Sequence, residues 1–224
     1  MKHTMKIKIH NIKLFYEVSG QGSPLILLHG NGEDHSIFSA ITKKLERSFR
    51  VYAVDSRDHG QSEKTGKLSY DAMAEDLAAF IKTLNLEKPD VLGFSDGAIT
   101  ALLTAMKYPG LIHKMILLGV NLKPEDFTAE SLAYLHDEYN KTRDPLINMM
   151  LTQPQIELDG LKNVTTPALI AAAEHDIFKP EIYTAISQTL PAAELIIMKD
   201  HDHDSYISNT DIFSGEVIRF LNRG

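Results

Sequence analysis

Short apolar runs that alternate with amphipathic stretches are the feature that most restricts the fold of this 224-residue chain. An apolar run of about four or five residues without polar alternation is typical of a strand that is buried on both faces. Such runs occupy residues 24–28, 51–54, 91–94, 115–118, 168–171 and 195–198. Other stretches carry apolar side chains three and four residues apart, as one face of a helix requires. These helical patterns cover residues 37–45, 70–84, 98–106, 182–190 and 212–221.

Strands and helices in this alternation predict an α/β fold, in which helices cover both faces of a mostly parallel sheet. At the start of the chain, apolar and polar residues alternate from Ile7 to Val18 around His10-Asn11, which predicts an antiparallel hairpin. The hairpin and the apolar runs together predict an eight-stranded sheet within one domain over residues 1–224.

One long segment, about residues 121–162, interrupts the alternation. It carries no strand signal, and its apolar residues have roughly helical spacing. They are Leu132, Leu135, Tyr139, Leu146, Met149 and Met150. Long insertions in compact domains are usually binding loops or lids. We therefore expect a short helical lid over the carboxyl edge of the sheet; the alternative is one surface helix with loops.

Composition excludes several classes of protein. The net charge is −7 and no basic cluster is present, so nucleic acid is not an expected partner. No run approaches the roughly 18 apolar residues of a membrane span. The start of the chain lacks the apolar core of a signal peptide, so the expected location is cytoplasmic. There is no cysteine, which excludes thiolate chemistry. Nothing in the sequence indicates the oligomeric state.

A serine lies between two glycines in Gly93-Phe94-Ser95-Asp96-Gly97, which joins a predicted strand to a predicted helix. This G-x-S-x-G pattern is typical of a nucleophile elbow, a turn so tight that glycine is needed on both sides of the serine. The serine is pushed into a strained conformation with its hydroxyl exposed. An ordinary helix-capping serine is the alternative. We expect Ser95 to be a nucleophile.

A serine hydroxyl needs a base to take its proton, and the base needs an acid to orient it. Asp176 follows the predicted strand at 168–171, and His203 follows the last strand, so the order is serine, aspartate, histidine. Ligands of parallel sheets bind beyond the carboxyl ends of the strands, where all three residues are expected. Glu125 and Asp126 are the alternative acids, and His201 is the alternative histidine.

Two backbone N–H groups are needed to hold the negative charge that develops on a substrate oxygen. One is expected from Asp96, directly after the nucleophile. The other is expected from Asn31 in the turn His29-Gly30-Asn31-Gly32, which follows the strand at 24–28. Asp96 and Asn31 are therefore the predicted oxyanion-hole residues.

The segment His201-Asp202-His203-Asp204 offers two imidazoles and two carboxylates, a set that suits zinc. No third spaced ligand motif accompanies it, and we predict no metal site.

These motifs, together with Asp55-Ser56-Arg57-Asp58-His59-Gly60-Gln61-Ser62, resemble those of the α/β-hydrolases over nearly the whole chain. Residues 95–102, 107–109 and 112–115, with the Gly30–Glu33 loop, are similar to the biphenyl hydrolase-like, or valacyclovir hydrolase, group. The resemblance implies a serine hydrolase of small esters without a cofactor. The family's spacing of its histidine after the last strand favours His203 over His201.

The chain departs from the family pattern at Asp58, where the second loop usually has glycine. Aspartate tolerates a positive φ better than most residues, so we expect the turn to survive. The glycine-rich lead to the catalytic histidine is also absent.

Asp96 places a carboxylate beside the point where an oxyanion forms, and that charge should oppose the reaction. A cationic substrate, such as an α-amino acid ester, removes the conflict by pairing with it. Glu33 on the opposite loop adds negative potential. Asp96 and Glu33 are the predicted substrate-binding residues.

The expected function is hydrolysis of small carboxylic esters, with a small-molecule ester as partner. The triad does not separate this reaction from perhydrolase, lactonase, amidase or carbon–carbon hydrolase chemistry, because a fold does not fix a function. A non-catalytic ligand-binding protein of the same fold is the alternative from another class.

Overall fold

The computed structural model describes residues 2–223 and contains one eight-stranded sheet flanked by helices. The strands are β1 (His3–Ile9), β2 (Ile12–Ser19), β3 (Ser23–Leu28), β4 (Phe49–Val54), β5 (Asp90–Phe94), β6 (Met115–Leu118), β7 (Ala168–His175) and β8 (Ala193–Asp202). They lie in the order β1-β2-β4-β3-β5-β6-β7-β8. β2 pairs antiparallel with both β1 and β4, and all other neighbours are parallel. The predicted strand number and the N-terminal hairpin are confirmed.

Within residues 2–223, seven α-helices connect or flank the strands. They are α1 (Ser39–Leu45), α2 (Tyr70–Thr83), α3 (Asp96–Lys107), α4 (Ala129–Thr142), α5 (Pro145–Thr152), α6 (Pro180–Thr189) and α7 (Ser214–Leu221). The helix predicted at 37–45 begins instead as a 3₁₀ turn over His35–Phe38. The carboxylate of Asp34 starts that turn by accepting the N–H of Ser36 at 2.7 Å.

Both faces of the sheet are covered by helices, which explains why the sequences of the central strands do not alternate between apolar and polar residues. Leu25 and Leu27 of β3 pack in one apolar cluster with α1 and α7, while Ile26 and Leu28 pack in another with α2, α3 and α6. All four side chains are buried. Successive side chains of a strand point to opposite faces, so a strand covered on both faces has no position for a polar residue.

The turn at Asp58 forms without glycine. Asp58 has φ of 64°, in the left-handed region. Its carboxylate accepts the N–H groups of Thr65 and Gly66 at 2.5 and 2.9 Å, and the Thr65 hydroxyl at 2.7 Å. These bonds hold the aspartate in a conformation that most side chains avoid. The expectation that the turn survives is confirmed.

Residues 121–162, all of which the structure describes, form helices and loops and contain no strand. Short 3₁₀ turns over Pro124–Asp126 and Leu158–Asn163 flank α4 and α5. Thr128 caps α4 by accepting the N–H of Ser131 at 3.2 Å, and Asp144 caps α5 by accepting that of Leu146 at 2.8 Å. The function of this insertion as a lid stays a prediction.

Across residues 2–223, none of the helices combines the length and the apolar character needed to cross a bilayer.

Two glycines allow α3 to lie directly against the sheet. A Cβ atom at Gly93 would overlap the backbone of Gly97 and Ala98, and one at Gly97 would overlap the carbonyl group of Leu28. The clashing backbone atoms belong to α3 for Gly93 and to β3 for Gly97, and they cannot move aside by a side-chain rotation. The close crossing of β3, β5 and α3 therefore requires glycine at both positions.

We expect the substitution Gly97→Ala to lower the free energy of unfolding by at least about 1–3 kcal/mol, the usual cost of overpacking a core. Gly215→Ala is the matched control, because a Cβ at Gly215 in α7 meets no atom within 4 Å. That control should leave stability unchanged or raise it by about 0.5–1 kcal/mol. Urea denaturation measures both; equal midpoints for the two variants would contradict the steric account.

Candidate active site

Ser95 lies at the turn between β5 and α3 and has φ of 51° and ψ of −114°. A positive φ in a residue with a side chain is uncommon and costs energy. The turn is held by two backbone bonds: the Ser95 N–H donates to Leu118 O at 2.8 Å, and Ala98 N–H donates to Ser95 O at 2.9 Å. The Ser95 hydroxyl makes no capping bond to α3. The strained turn predicted from the glycine spacing is present.

Asp176 and His203 are the first residues after β7 and β8. The last strand continues to Asp202, beyond the residues 195–198 predicted for it. His203 Nε2 lies 3.2 Å from Ser95 Oγ, and His203 Nδ1 lies 2.7 Å from Asp176 Oδ1. The structure thus brings together three residues that are 81 and 27 positions apart in the chain.

Asp176 is held rigidly as a hydrogen-bond acceptor. Its side chain is 2% exposed, and its oxygens accept the N–H groups of Ala173 at 3.1 Å and Phe178 at 3.4 Å. Burial raises the pKa of Asp176, but the bond from His203 and the charge of that ring outweigh burial, so the pKa lies below its ordinary value. An ionised carboxylate orients the imidazole and stabilises its positive charge.

Two aromatic rings and a glycine pack around the His203 ring. Phe94 and Phe178 lie 4.9 and 5.5 Å from it, centroid to centroid. Gly119, directly after β6, has φ of 60°, and a Cβ there would lie 2.5 Å from His203 Cε1. Gly119 was not among the predicted site residues. A glycine at the end of a central strand is a weak signal for such a close contact.

The alternative acid and base have other partners. Asp126 accepts the N–H groups of Leu122 and Lys123 at 2.7 and 2.8 Å. His201 Nδ1 contacts Ser205 Oγ at 2.9 Å, while His203 contacts Asp176. The two imidazoles therefore do not converge on a common point.

Within residues 2–223, the side chains of a type that can bind a metal ion converge away from His201 and His203. They are those of Asp34, His35 and Asp55. Asp55 Oδ1 accepts the backbone N–H of His35 at 2.8 Å and contacts its Nδ1 at 2.6 Å, and Asp55 Oδ2 accepts the N–H of Gln61 at 2.7 Å. These bonds tie the loop after β3 to the loop after β4, which accounts for the cluster without an ion.

Asn31 and Asp96, the predicted oxyanion donors, lie on the two loops that meet beside Ser95. Asp96 is the first residue of α3, and the first N–H groups of a helix have no partner within it. Among the bonds made within residues 2–223, neither of the two N–H groups donates to a protein acceptor. Both N–H groups therefore lack an acceptor within the described residues, as the oxyanion prediction requires.

The Asp96 carboxylate is 2% exposed and has a donor on each oxygen. The Tyr70 hydroxyl donates to Oδ1 at 2.7 Å, and Asn31 Nδ2 donates to Oδ2 at 2.9 Å. Burial raises the pKa of Asp96, although both bonds oppose the rise. A substrate amine reaches this carboxylate only where one of the two donors gives way. Tyr70 was not among the predicted site residues, because its spacing indicated only an apolar helix position.

A cavity of about 460 Å³ opens above Ser95 and His203. Its wall includes Leu135 and Ile147 from the helical insertion, and three carboxylates. The carboxylates are those of Glu33, Glu138 and Asp204. The described part of the wall contains no lysine or arginine and does not include Asp96. The potential in the cavity therefore favours a positive charge.

Glu33 faces this cavity from the loop after β3. Its Oε2 accepts the N–H of Gly30 at 2.8 Å. Burial raises the pKa of Glu33 to about 7, and the bond from Gly30 only partly offsets the rise.

The family model described as alpha/beta hydrolase fold matches residues 23–148, more than half of the chain. The chain belongs to the α/β-hydrolase fold family. It is similar to human serine hydrolase BPHL, with 27% identity over 250 residues, 96% of this chain and 85% of that protein. The predicted family, its biphenyl hydrolase-like motifs and the fold are confirmed, and the protein is an α/β-fold hydrolase.

Solved structures share the fold. A thermophilic esterase from Thermogutta terrifontis superposes with a TM-score of 0.82 and 22% identity, over 98% of both chains. The meta-cleavage product hydrolase CumD from Pseudomonas fluorescens IP01 does so with a TM-score of 0.82 and 19% identity, over 97% of both chains. Because an esterase and a meta-cleavage product hydrolase share this fold, the fold alone does not identify the bond that this hydrolase cleaves.

We expect the raised pKa of Glu33 to make stability fall as pH rises. Between pH 4.5 and about 7, the folded state keeps on Glu33 a proton that the unfolded state has already released. This contribution is present below pH 4.5 and is lost as pH approaches 7, at a total cost of at most about 3 kcal/mol. Glu33→Gln removes the titration. Between pH 5 and 8, urea denaturation should show wild type losing stability relative to this variant; parallel curves would exclude the raised pKa.

Proposed function

We propose that the protein is a serine hydrolase that cleaves small carboxylic esters through an acyl-enzyme. The observation that carries the proposal is the chain of contacts from Ser95 Oγ through His203 to Asp176 at the base of a cavity. Nucleophile, base and orienting acid in this arrangement perform acyl transfer on several unrelated folds.

In the proposed mechanism, Ser95 Oγ attacks the ester carbonyl while His203 Nε2 takes its proton. The N–H groups of Asn31 and Asp96 stabilise the negative charge that forms on the carbonyl oxygen. His203 then gives the proton to the leaving alcohol. Water, activated by the same ring, attacks the acyl-enzyme and releases the acid. The mechanism needs no cofactor.

The helical insertion, residues 121–162, acts in this proposal as the lid of the cavity. Support comes from the wall residues that α4 and α5 contribute and from the bond that Asn31 Nδ2 donates to Leu146 O at 3.3 Å. A lid excludes water and strengthens electrostatic interactions in the site. The cytoplasmic location and the lack of nucleic-acid and membrane partners remain predictions from composition.

The finer proposal is a preference for cationic esters, such as α-amino acid esters. It is supported by the three cavity carboxylates and by the buried Asp96 charge behind Asn31. Since both Asp96 oxygens already accept hydrogen bonds, Asp96 acts mainly through its potential, and Glu33 is the carboxylate open to direct contact.

Removing the base should abolish activity. We expect His203→Ala and Ser95→Ala to lower kcat for p-nitrophenyl acetate by about 10⁴–10⁶, as for other triad residues. His201→Ala is the matched control, because His201 contacts Ser205 and not Ser95, and it should retain kcat within about twofold. Labelling by a fluorophosphonate probe checks the same residues: wild type and the His201 variant should react, and Ser95→Ala should not. A wild type that neither labels nor turns over would identify a non-catalytic protein.

A substrate pair tests the cation preference. We expect kcat/KM for a valine ester to exceed that for its N-acetyl analogue by about 5–100-fold, the value of one partly buried ion pair. Salt should reduce the ratio, since screening weakens the potential of exposed carboxylates. Equal values for the two esters would rule out charge selection while leaving ester hydrolysis intact.

A further inference from the structure

The loop after β3 must present the Asn31 N–H in one direction, and bonds to Asp96 Oδ2 and Leu146 O hold the Asn31 side chain. Asn31 is half-buried, and the next residue, Gly32, has φ of 70° with no atom within 4 Å of a Cβ placed there. Because Gly32 adds no packing contact, the direction of the Asn31 N–H also depends on the hydrogen bonds within the turn.

Two reciprocal bonds between Gly30 and Glu33 enclose Asn31. The Glu33 N–H donates to Gly30 O at 3.4 Å, and the Gly30 N–H donates to Glu33 Oε2 at 2.8 Å. The second bond is the shorter, and it joins a backbone donor to a carboxyl acceptor. The two residues between the bonded positions, Asn31 and Gly32, therefore have little freedom to rotate.

The geometry points to Glu33 as a positioning residue: its carboxyl group holds the Gly30 N–H and thereby directs the Asn31 N–H at the oxyanion. This inference rests on the proposed ester hydrolysis. It assigns Glu33 a role in the reaction of neutral esters, separate from any contact with a cationic substrate.

The space around Gly30 matches this role. A Cβ at Gly30 would lie 2.8 Å from Glu33 Oε2 and 3.2 Å from the Phe94 ring. Glycine at this position therefore admits the Glu33 carboxyl group, and a larger residue would push it away. Phe94 precedes Ser95, so the contact links the loop to the nucleophile turn.

The charges that face Glu33 come from three other elements. They are His203 and Asp204 after β8, Asp96 at the start of α3, and Glu138 of α4 across the cavity. Because burial raises the pKa of Glu33 to about 7, the group is partly neutral at neutral pH. A glutamine, which is neutral and keeps a carbonyl acceptor, is then a close substitute for it.

The test compares Glu33→Ala, which removes the acceptor, with Glu33→Gln, which keeps it, using p-nitrophenyl acetate at pH 7.5. We expect the alanine variant to lose about tenfold in kcat with little change in KM, less than the roughly 10²–10³ that follows loss of a whole oxyanion donor. The glutamine variant should stay within about threefold of wild type. Glu181→Ala, at an exposed position on α6, is the control and should match wild type.

Gly30→Ala gives a second route, because its Cβ displaces the Glu33 carboxyl group without removing it. We expect a similar loss of kcat, with thermal melting as the measure of folding for every variant. An alanine variant at position 33 with wild-type kcat, a raised KM with unchanged kcat, or a glutamine variant as slow as the alanine variant would each overturn the positioning role.

Fluorophosphonate labelling of wild type separates this inference from the proposed function. A wild type that labels at Ser95 while Glu33→Ala keeps full kcat refutes the positioning role alone. A wild type that does not label and hydrolyses no ester refutes the proposed function, and the positioning role with it.

Discussion

The close crossing of α3 over β3 and β5 is the constraint on which the rest of the site depends. Gly93 and Gly97 bring backbone into contact with backbone, and no side chain fits between them. The chain turns so sharply there that Ser95 takes a φ of 51°. This turn places the hydroxyl at the carboxyl edge of the sheet with the start of a helix directly behind it, and the first N–H groups of a helix have no partner within the helix.

Buried polar contacts then join the loops that surround the turn. Asp96 receives one bond from Tyr70 on α2 and one from Asn31 on the loop after β3. A buried carboxylate that loses a donor costs more than the donor's bond is worth, so these contacts strongly favour a single arrangement. Asp55 performs a similar task one loop away through His35 and Gln61. The loop after β3 is thus held through Asn31 by Asp96 and through His35 by Asp55.

Most of the fold was predictable because its signals are local. A strand buried on both faces lacks polar residues, and an amphipathic helix repeats its apolar positions, whatever lies elsewhere in the chain. The site was predictable to the extent that parallel strands end at one edge, which placed Ser95, Asp176 and His203 together. Tyr70 and Gly119 were missed because their contacts, with Asp96 and with the His203 ring, join residues 26 and 84 positions apart. Nothing in the local pattern reports such a pairing.

Residue order alone was sufficient to predict the sheet, the strained serine turn and the order Ser95, Asp176, His203. The sheet and the turn follow from sterics and periodicity within about ten residues, and the order follows from the positions of the three residues, each after a predicted strand. Contacts between distant segments were needed to show that Asp96 is enclosed by Tyr70 and Asn31, while Glu33 faces the cavity with a raised pKa. The two carboxylates look equivalent in the chain. Burial and hydrogen bonding, which depend on the packing of α2 and α3 against the loop after β3, give them different roles.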